Sequence, residues 1–138
     1  MSPVAWALLT ALIWGIVPLM EKLGLGATAP MAGLFMRSAG VAAGALVVGL
    51  CTHPWPQMLR MPVSSMLLLA TGGFLASVVG QMSFYQALKA GSVSRVVPIA
   101  GAYPLVAALL GWWLLREPLT PARALGAALV VGGVMLLR

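Results

Sequence analysis

Long uncharged stretches alternate with short polar breaks along this chain. The breaks fall at Glu21-Lys22, at residues 52–62 with three prolines and Arg60, at Lys89-Ala90-Gly91-Ser92, and at Arg116-Glu117-Pro118. Each stretch between them is long enough to cross a bilayer, which takes about 20 apolar residues in a helix. The pattern predicts five transmembrane helices at about 3–21, 30–51, 63–88, 93–115 and 120–137.

The apolar runs do not alternate between apolar and polar residues, as the strands of a membrane barrel would. Only a helix satisfies all its backbone hydrogen bonds within one continuous apolar segment. Composition agrees, because 62% of the residues are hydrophobic and only 7% are charged, against roughly 25% charged in soluble domains. We therefore expect an all-α integral membrane protein, a bundle of five transmembrane helices in contact with the lipid bilayer.

The net charge of +6 does not indicate a nucleic-acid partner. The eight basic residues are scattered singly between apolar segments, whereas nucleic-acid binding takes a clustered basic face. Cys51 and His53 are the only residues of their kinds, so no metal site of several such ligands is expected. No catalytic set and no cofactor motif is present, and the sequence predicts neither an enzyme nor a cofactor.

Polar and aromatic residues inside the apolar segments are the candidate site. Ser77, Gln81 and Tyr85 recur every four residues and share one face of the third helix. Burying an amide and a phenol in hydrocarbon without partners is costly, so these side chains meet either neighbouring helices or the wall of a substrate path. Trp14 lies near the middle of the first segment, away from the membrane edge that tryptophan prefers, and we expect a packing or cavity role for it.

The fourth helix contains Pro98, Tyr103 and Pro104 close together. Proline removes a backbone donor and kinks helices, and broken helices at mid-membrane often form transporter binding sites. We expect Pro98 in the first turn or at a kink, Pro104 in the interior, and Tyr103 as a substrate contact. Arg37, two turns into the second helix, either extends to the interface or faces an aqueous vestibule and attracts anionic groups.

The acidic residues are few. Glu21 and Glu117 are expected at helix ends, so the sequence predicts no carboxylate deep in the membrane, of the kind that proton-coupled cation exporters commonly use. Small residues are frequent instead, among them Gly40 and Gly44 in a GxxxG spacing that permits close helix packing.

The last third of the chain contains an ordered set of motifs: Tyr85-Gln86-Ala87-Leu88, Ser94-Arg95-Val96-Val97-Pro98, Tyr103-Pro104-Leu105, Leu115-Arg116-Glu117-Pro118-Leu119 and the glycine-rich run from Leu125 to Val134. Their order resembles the EamA-like domain of the drug/metabolite transporter superfamily. Trp14-Gly15, Lys22 and Arg37 fit the earlier half. No glutamate accompanies Leu12-Ile13-Trp14-Gly15, unlike in the four-helix multidrug relatives of that superfamily.

The resemblance implies half of a ten-helix drug/metabolite transporter fold in a bacterial inner membrane. It implies a carrier or exporter of small metabolites that acts by alternating access, either as a homodimer, possibly antiparallel, or with a second half-sized subunit. A subunit of a lipid-linked sugar flippase and a non-transporting assembly component are the alternatives.

Charge placement fits insertion in both orientations. If five helices alternate, three basic residues lie on the side of the N-terminus and five on the other, a weak bias under the positive-inside rule. The first group is Arg60, Arg116 and Arg123, and the second is Lys22, Arg37, Lys89, Arg95 and Arg138.

Overall fold

The computed structural model describes residues 2–118 and 120–136, with Arg123 described by its backbone only. Helices account for most of these residues, and the described ranges contain no strand. The helices are α1 (Pro3–Leu25), α2 (Pro30–Thr52), α3 (Trp55–Leu59), α4 (Val63–Phe74), a π-helical turn (Leu75–Gly80), α5 (Gln81–Ala90), α6 (Val93–Ala100), α7 (Tyr103–Leu115) and α8 (Pro121–Leu136). Residue 137, the expected end of the last helix, and Arg138 lie outside the described ranges.

Four segments of these helices are long and apolar enough to cross a membrane. They are Pro3–Leu25, Pro30–Thr52, Val63–Ala90 and Val93–Leu115, and a shorter apolar helix covers Ala124–Leu136. Their side chains are mostly exposed, which suits helices whose solvent is lipid. The prediction of an all-α integral membrane protein is confirmed.

Proline and left-handed residues set several of the helix ends. Pro3 and Pro30 occupy the first turns of α1 and α2, where a missing N–H costs nothing, and the Ser2 hydroxyl accepts a bond from the Ala5 N–H at 3.2 Å. His53, at φ 49°, ends α2. The polar interruption that follows also contains the short helix α3, which the sequence pattern did not predict.

The third apolar segment is one continuous helix whose hydrogen-bonding pattern changes from α to π and back to α. Its α-helical parts, α4 and α5, are joined by the π-helical turn Leu75–Gly80. A π turn closes i→i+5 hydrogen bonds, is wider than an α turn and often lies at functional sites. Ser77 is in this turn, and Gln81 follows it directly.

The fourth apolar segment is broken at Gly101 and Ala102, between α6 and α7. Pro98 lies inside α6 and not in its first turn, and Pro104 lies in the first turn of α7 and not in a helix interior. Pro104 is therefore not interior as expected, because the helix ends between the two prolines and begins again. The expected role of the two prolines at a helix kink stays a prediction. At Gly101 a Cβ atom would lie 3.0 Å from the Val97 carbonyl oxygen, so the break is tight.

The chain forms two compact units, Met1–Ala90 and Gly91–Arg138. In the first, α1 and α2 pack with α5, and the buried apolar side chains are Leu25, Leu34, Tyr85 and Leu88. In the second, α7 packs with α8.

Candidate functional site

Glu21 lies about one turn before the C-terminal end of α1. The helix continues four residues beyond it to Leu25, whereas the sequence pattern placed the end at residue 21. The Glu21 side chain is only 11% exposed. Glu21 therefore lies close to the C-terminal end of α1, as expected, but it faces the packed side of the helix.

Three donors from two other helices reach one oxygen of this carboxylate. Gln81 Nε2 donates to Glu21 Oε1 at 2.9 Å, and Tyr85 Oη donates to the same atom at 3.1 Å. Arg37 Nε lies 3.3 Å from it in an ion pair. We call these four residues the Glu21 cluster. Hydrogen bonds to an ionised acceptor are stronger than neutral ones, so the cluster links α1, α2 and α5.

Two lysines strengthen the same end of this unit by bonding to backbone oxygens. Lys22 Nζ donates to the Leu88 carbonyl oxygen, and Lys89 Nζ donates to the Thr28 carbonyl oxygen at 2.7 Å. These contacts join the C-terminal end of α1, the loop before α2 and the C-terminal end of α5. The three helices therefore converge at this end.

Close apolar packing lies beside the cluster. A Cβ atom added to Gly33 would lie 2.8 Å from Leu25 Cδ2 and 3.3 Å from Tyr85 Cε2. Leu25 and Tyr85 are each 3% exposed, so neither has much room to move away. The glycine lets α2 approach closely enough for Arg37, one turn further along, to reach Glu21.

The structure brings together three of the six predicted site residues. Gln81, Tyr85 and Arg37 meet at Glu21. Ser77 is half-buried one turn before Gln81, and no side-chain hydrogen bond of Ser77 is found among residues 2–118 and 120–136. The ion pair also gives Arg37 a partner that neither of its two expected roles included.

Two of the three aromatic members of the predicted site, Trp14 and Tyr103, are exposed. Trp14 is 58% exposed, although it shares the helix face of Pro18, Glu21 and Leu25, two turns before the cluster. Tyr103 is 56% exposed and belongs to the second compact unit, at the start of α7.

Sequence reasoning missed Glu21, the centre of the cluster. A signal was present: Trp14, Pro18, Glu21 and Leu25 follow the three- and four-residue spacing of one helix face. Its charge beside Lys22 favoured a helix end instead, because paired charges usually mark the water boundary.

The second unit has an apolar groove of about 440 Å³ between α7 and α8. Its polar edge is Glu117, whose backbone N–H donates to the Gly111 carbonyl oxygen at 3.2 Å, while Arg116, at φ 55°, ends α7. Within the described part of the chain, no three His, Cys, Asp or Glu residues lie close enough together to hold a metal ion.

Comparisons with known proteins agree with this architecture. The model of the EamA-like transporter family matches residues 1–138. An uncharacterized transporter of Sinorhizobium sp., named for its position in the cobO 3′ region, is 26% identical over 96% of this chain and 93% of its own length. An uncharacterized protein of Pseudomonas aeruginosa is 31% identical over 94% of this chain but only 43% of its own length.

No solved structure matches the chain significantly. The family match covers every residue, and the apolar helices are those of a multi-pass membrane protein. The chain therefore belongs to the EamA-like transporter family.

Proposed function

We propose that this chain is a carrier of small metabolites in the bacterial inner membrane, working by alternating access as a dimer. Family membership supports transport, since the family is one of transporters.

The observation that carries alternating access is the uneven packing of the first unit. Its three long helices converge at the Glu21 cluster, whereas all residues of 6–16, 38–48 and 66–76 are exposed. Each of these stretches lies away from the cluster along its helix. The helices of this unit are therefore joined by polar contacts at one end, while their side chains are exposed at the other. Such an arrangement lets a carrier open to one side of the membrane at a time.

The Glu21 cluster then acts as the closed end of the path, and Trp14 lies on the same helix face, toward the open end. Gln81 and Tyr85 would line the path when the cluster opens, with Ser77 one turn away in the π-helical turn. Tyr103 remains part of the proposal on sequence grounds, as a phenol beside the break between α6 and α7.

Pairing with a second unit is supported by the lengths of the relatives. The matched region makes up 93% of the Sinorhizobium transporter but 43% of the Pseudomonas protein. The same kind of unit therefore makes up almost all of one relative and less than half of another. Two copies of this chain, or this chain with a second half-sized subunit, would supply the equivalent of the longer protein.

Small residues offer surfaces for such pairing. A Cβ atom at Gly40 or Gly44 on α2, or at Gly126 on α8, would meet no atom within 4 Å. Small residues let membrane helices approach closely, and these are available to a second copy. The weak charge bias between the two sides is compatible with an antiparallel pair.

Transport by purified protein in liposomes tests the proposal. We expect uptake of members of a metabolite panel, and lower uptake by Gln81→Ala and Tyr103→Phe at equal amounts of inserted protein. Leu69→Ala, an exposed position on α4, is the matched control and is expected to transport normally. Unchanged uptake in both variants would refute the proposed path.

Reporter tags at the C-terminus test the assembly. Signals from both sides of the membrane support the antiparallel pair, and a single orientation refutes it. Transport that appears only with a co-purified different subunit identifies a heterodimer, whereas partner-dependent assembly without any transport refutes the carrier function.

A further inference from the structure

The Arg37 guanidinium is only partly used by the Glu21 cluster. Its Nε atom lies 3.3 Å from Glu21 Oε1, and no other hydrogen bond or ion pair of Arg37 is found in the described part of the chain. Arginine has five N–H donors in a planar fork that matches two oxygens at once. Both Nη atoms are therefore available, and the side chain is 31% exposed.

The charges around Arg37 favour an anion over a cation. Lys22, Arg37 and Lys89 carry positive charge at this end of the first unit, and Glu21 is its one carboxylate among the described residues. One oxygen of that carboxylate already accepts two hydrogen bonds and lies 3.3 Å from Arg37 Nε in the ion pair. A cation arriving there would meet three positive side chains, whereas an anion would meet an unfilled guanidinium fork.

Glu21 keeps hydrogen-bond partners when its ion pair with Arg37 opens. If the ion pair opens, Gln81 Nε2 and Tyr85 Oη still donate to Glu21 Oε1, at 2.9 and 3.1 Å. Because two hydrogen bonds remain, its charge is not left without partners, which is the main cost of breaking a part-buried ion pair. The exchange of one carboxylate for another on Arg37 is therefore inexpensive.

We propose that Arg37 recognises the carboxylate of the transported solute, and that Glu21 is an internal competitor whose displacement opens the Glu21 cluster. This inference rests on the proposed carrier function and adds its substrate class, small carboxylic acids. It also links the two events, because the solute takes the guanidinium that ties α2 to α1.

The test uses purified protein in liposomes of neutral phosphatidylcholine and a panel of matched acids, amides and amines. The sets are gluconate, gluconamide and glucamine, and glutarate, glutaramide and 1,5-diaminopentane, so that only the first member of each carries a carboxylate; they are extended with common metabolite acids and their amides. We expect the transported solutes to be acids. Arg37→Gln should lower acid uptake about tenfold, the effect of losing one charge-assisted pair, and Arg37→Lys should be intermediate because it keeps the charge without the fork.

Glu21→Gln separates recognition from a structural role. Removing the competitor should tighten acid binding several-fold, measured as a lower KM or Kd, even if the maximal rate falls. If the pair only held the helices together, Glu21→Gln and Arg37→Gln would lower activity alike and leave KM unchanged. Arg60→Gln, an exposed arginine beyond α3, is the control and should transport as wild type.

The outcomes distinguish the two proposals. If wild-type protein transports no panel member, the carrier function fails. If it transports amides or amines, or if acid uptake is unaffected by Arg37→Gln, the carrier function stands and the assignment of Arg37 is wrong. Liposomes that contain anionic phosphatidylglycerol test whether the ligand of Arg37 is a lipid phosphate and not the solute carboxylate. Strong inhibition of acid uptake by this lipid would mean that Arg37 binds a lipid headgroup and would overturn the assignment.

Discussion

Replacing Tyr85 with phenylalanine removes one donor from the Glu21 cluster and little else. The Tyr85 ring is 3% exposed, and phenylalanine fills the same space, so no cavity forms. The lost contact is the 3.1 Å bond from Tyr85 Oη to Glu21 Oε1. The effect on stability therefore measures the polar contacts of the Tyr85 hydroxyl, with Glu21 and with the neighbouring Gln81.

The expected magnitude follows from the partners. Hydrogen bonds between membrane helices contribute about 0.6 kcal/mol on average and at most about 1.7 kcal/mol. A charged acceptor places this bond near the upper limit, and Glu21 keeps its contacts with Gln81 and Arg37 after the change. We expect Tyr85→Phe to lower the free energy of unfolding by about 1.5 kcal/mol.

Equilibrium unfolding in mixed detergent micelles, titrated with dodecyl sulfate, measures this free energy. Tyr103→Phe is the matched control, because its side chain is 56% exposed and the described residues give it no side-chain hydrogen bond. We expect a change below about 0.5 kcal/mol for the control.

A double-mutant cycle with Glu21→Gln completes the test. An amide oxygen is a neutral acceptor, so the cost of Tyr85→Phe should fall to about 0.6 kcal/mol in that background. Equal costs for Tyr85→Phe and Tyr103→Phe, or a cost independent of residue 21, would refute the claim that Glu21 links these helices.

Two further predictions concern the packing beside the cluster. Leu88→Ala leaves a cavity at a fully buried position and should lower the free energy of unfolding by about 2 kcal/mol in the same assay. This is the low end for leucine truncation, because lipid also solvates apolar groups. A loss no larger than that of the exposed Leu69→Ala would contradict the packing. Gly33→Val places methyl groups against Tyr85 and Leu25 and should cost about 1 to 3 kcal/mol through overpacking. Gly40→Val, on the same helix with open space around it, is its control, and equal losses would show that Gly33 is not a close contact.

The sequence by itself determined the fold class and the family. Uncharged runs of some 20 residues leave only one solution for the backbone, because lipid offers no hydrogen-bonding partner. The starts of the first four predicted helices, at 3, 30, 63 and 93, agree with the structure because prolines and polar breaks mark them locally. The ordered motifs from Tyr85 to Val134 carried the family resemblance.

Only the tertiary structure decided which side chains meet. The break at Gly101, the π-helical turn before Gln81 and the position of Glu21 inside α1 are not fixed by local hydrophobicity. Glu21 faces inward because Gln81 and Tyr85 donate to it from α5, some 60 residues away, and Arg37 on α2 pairs with it. A part-buried charge is tolerated only where such partners exist, and no pattern along a single helix reveals partners that another helix supplies.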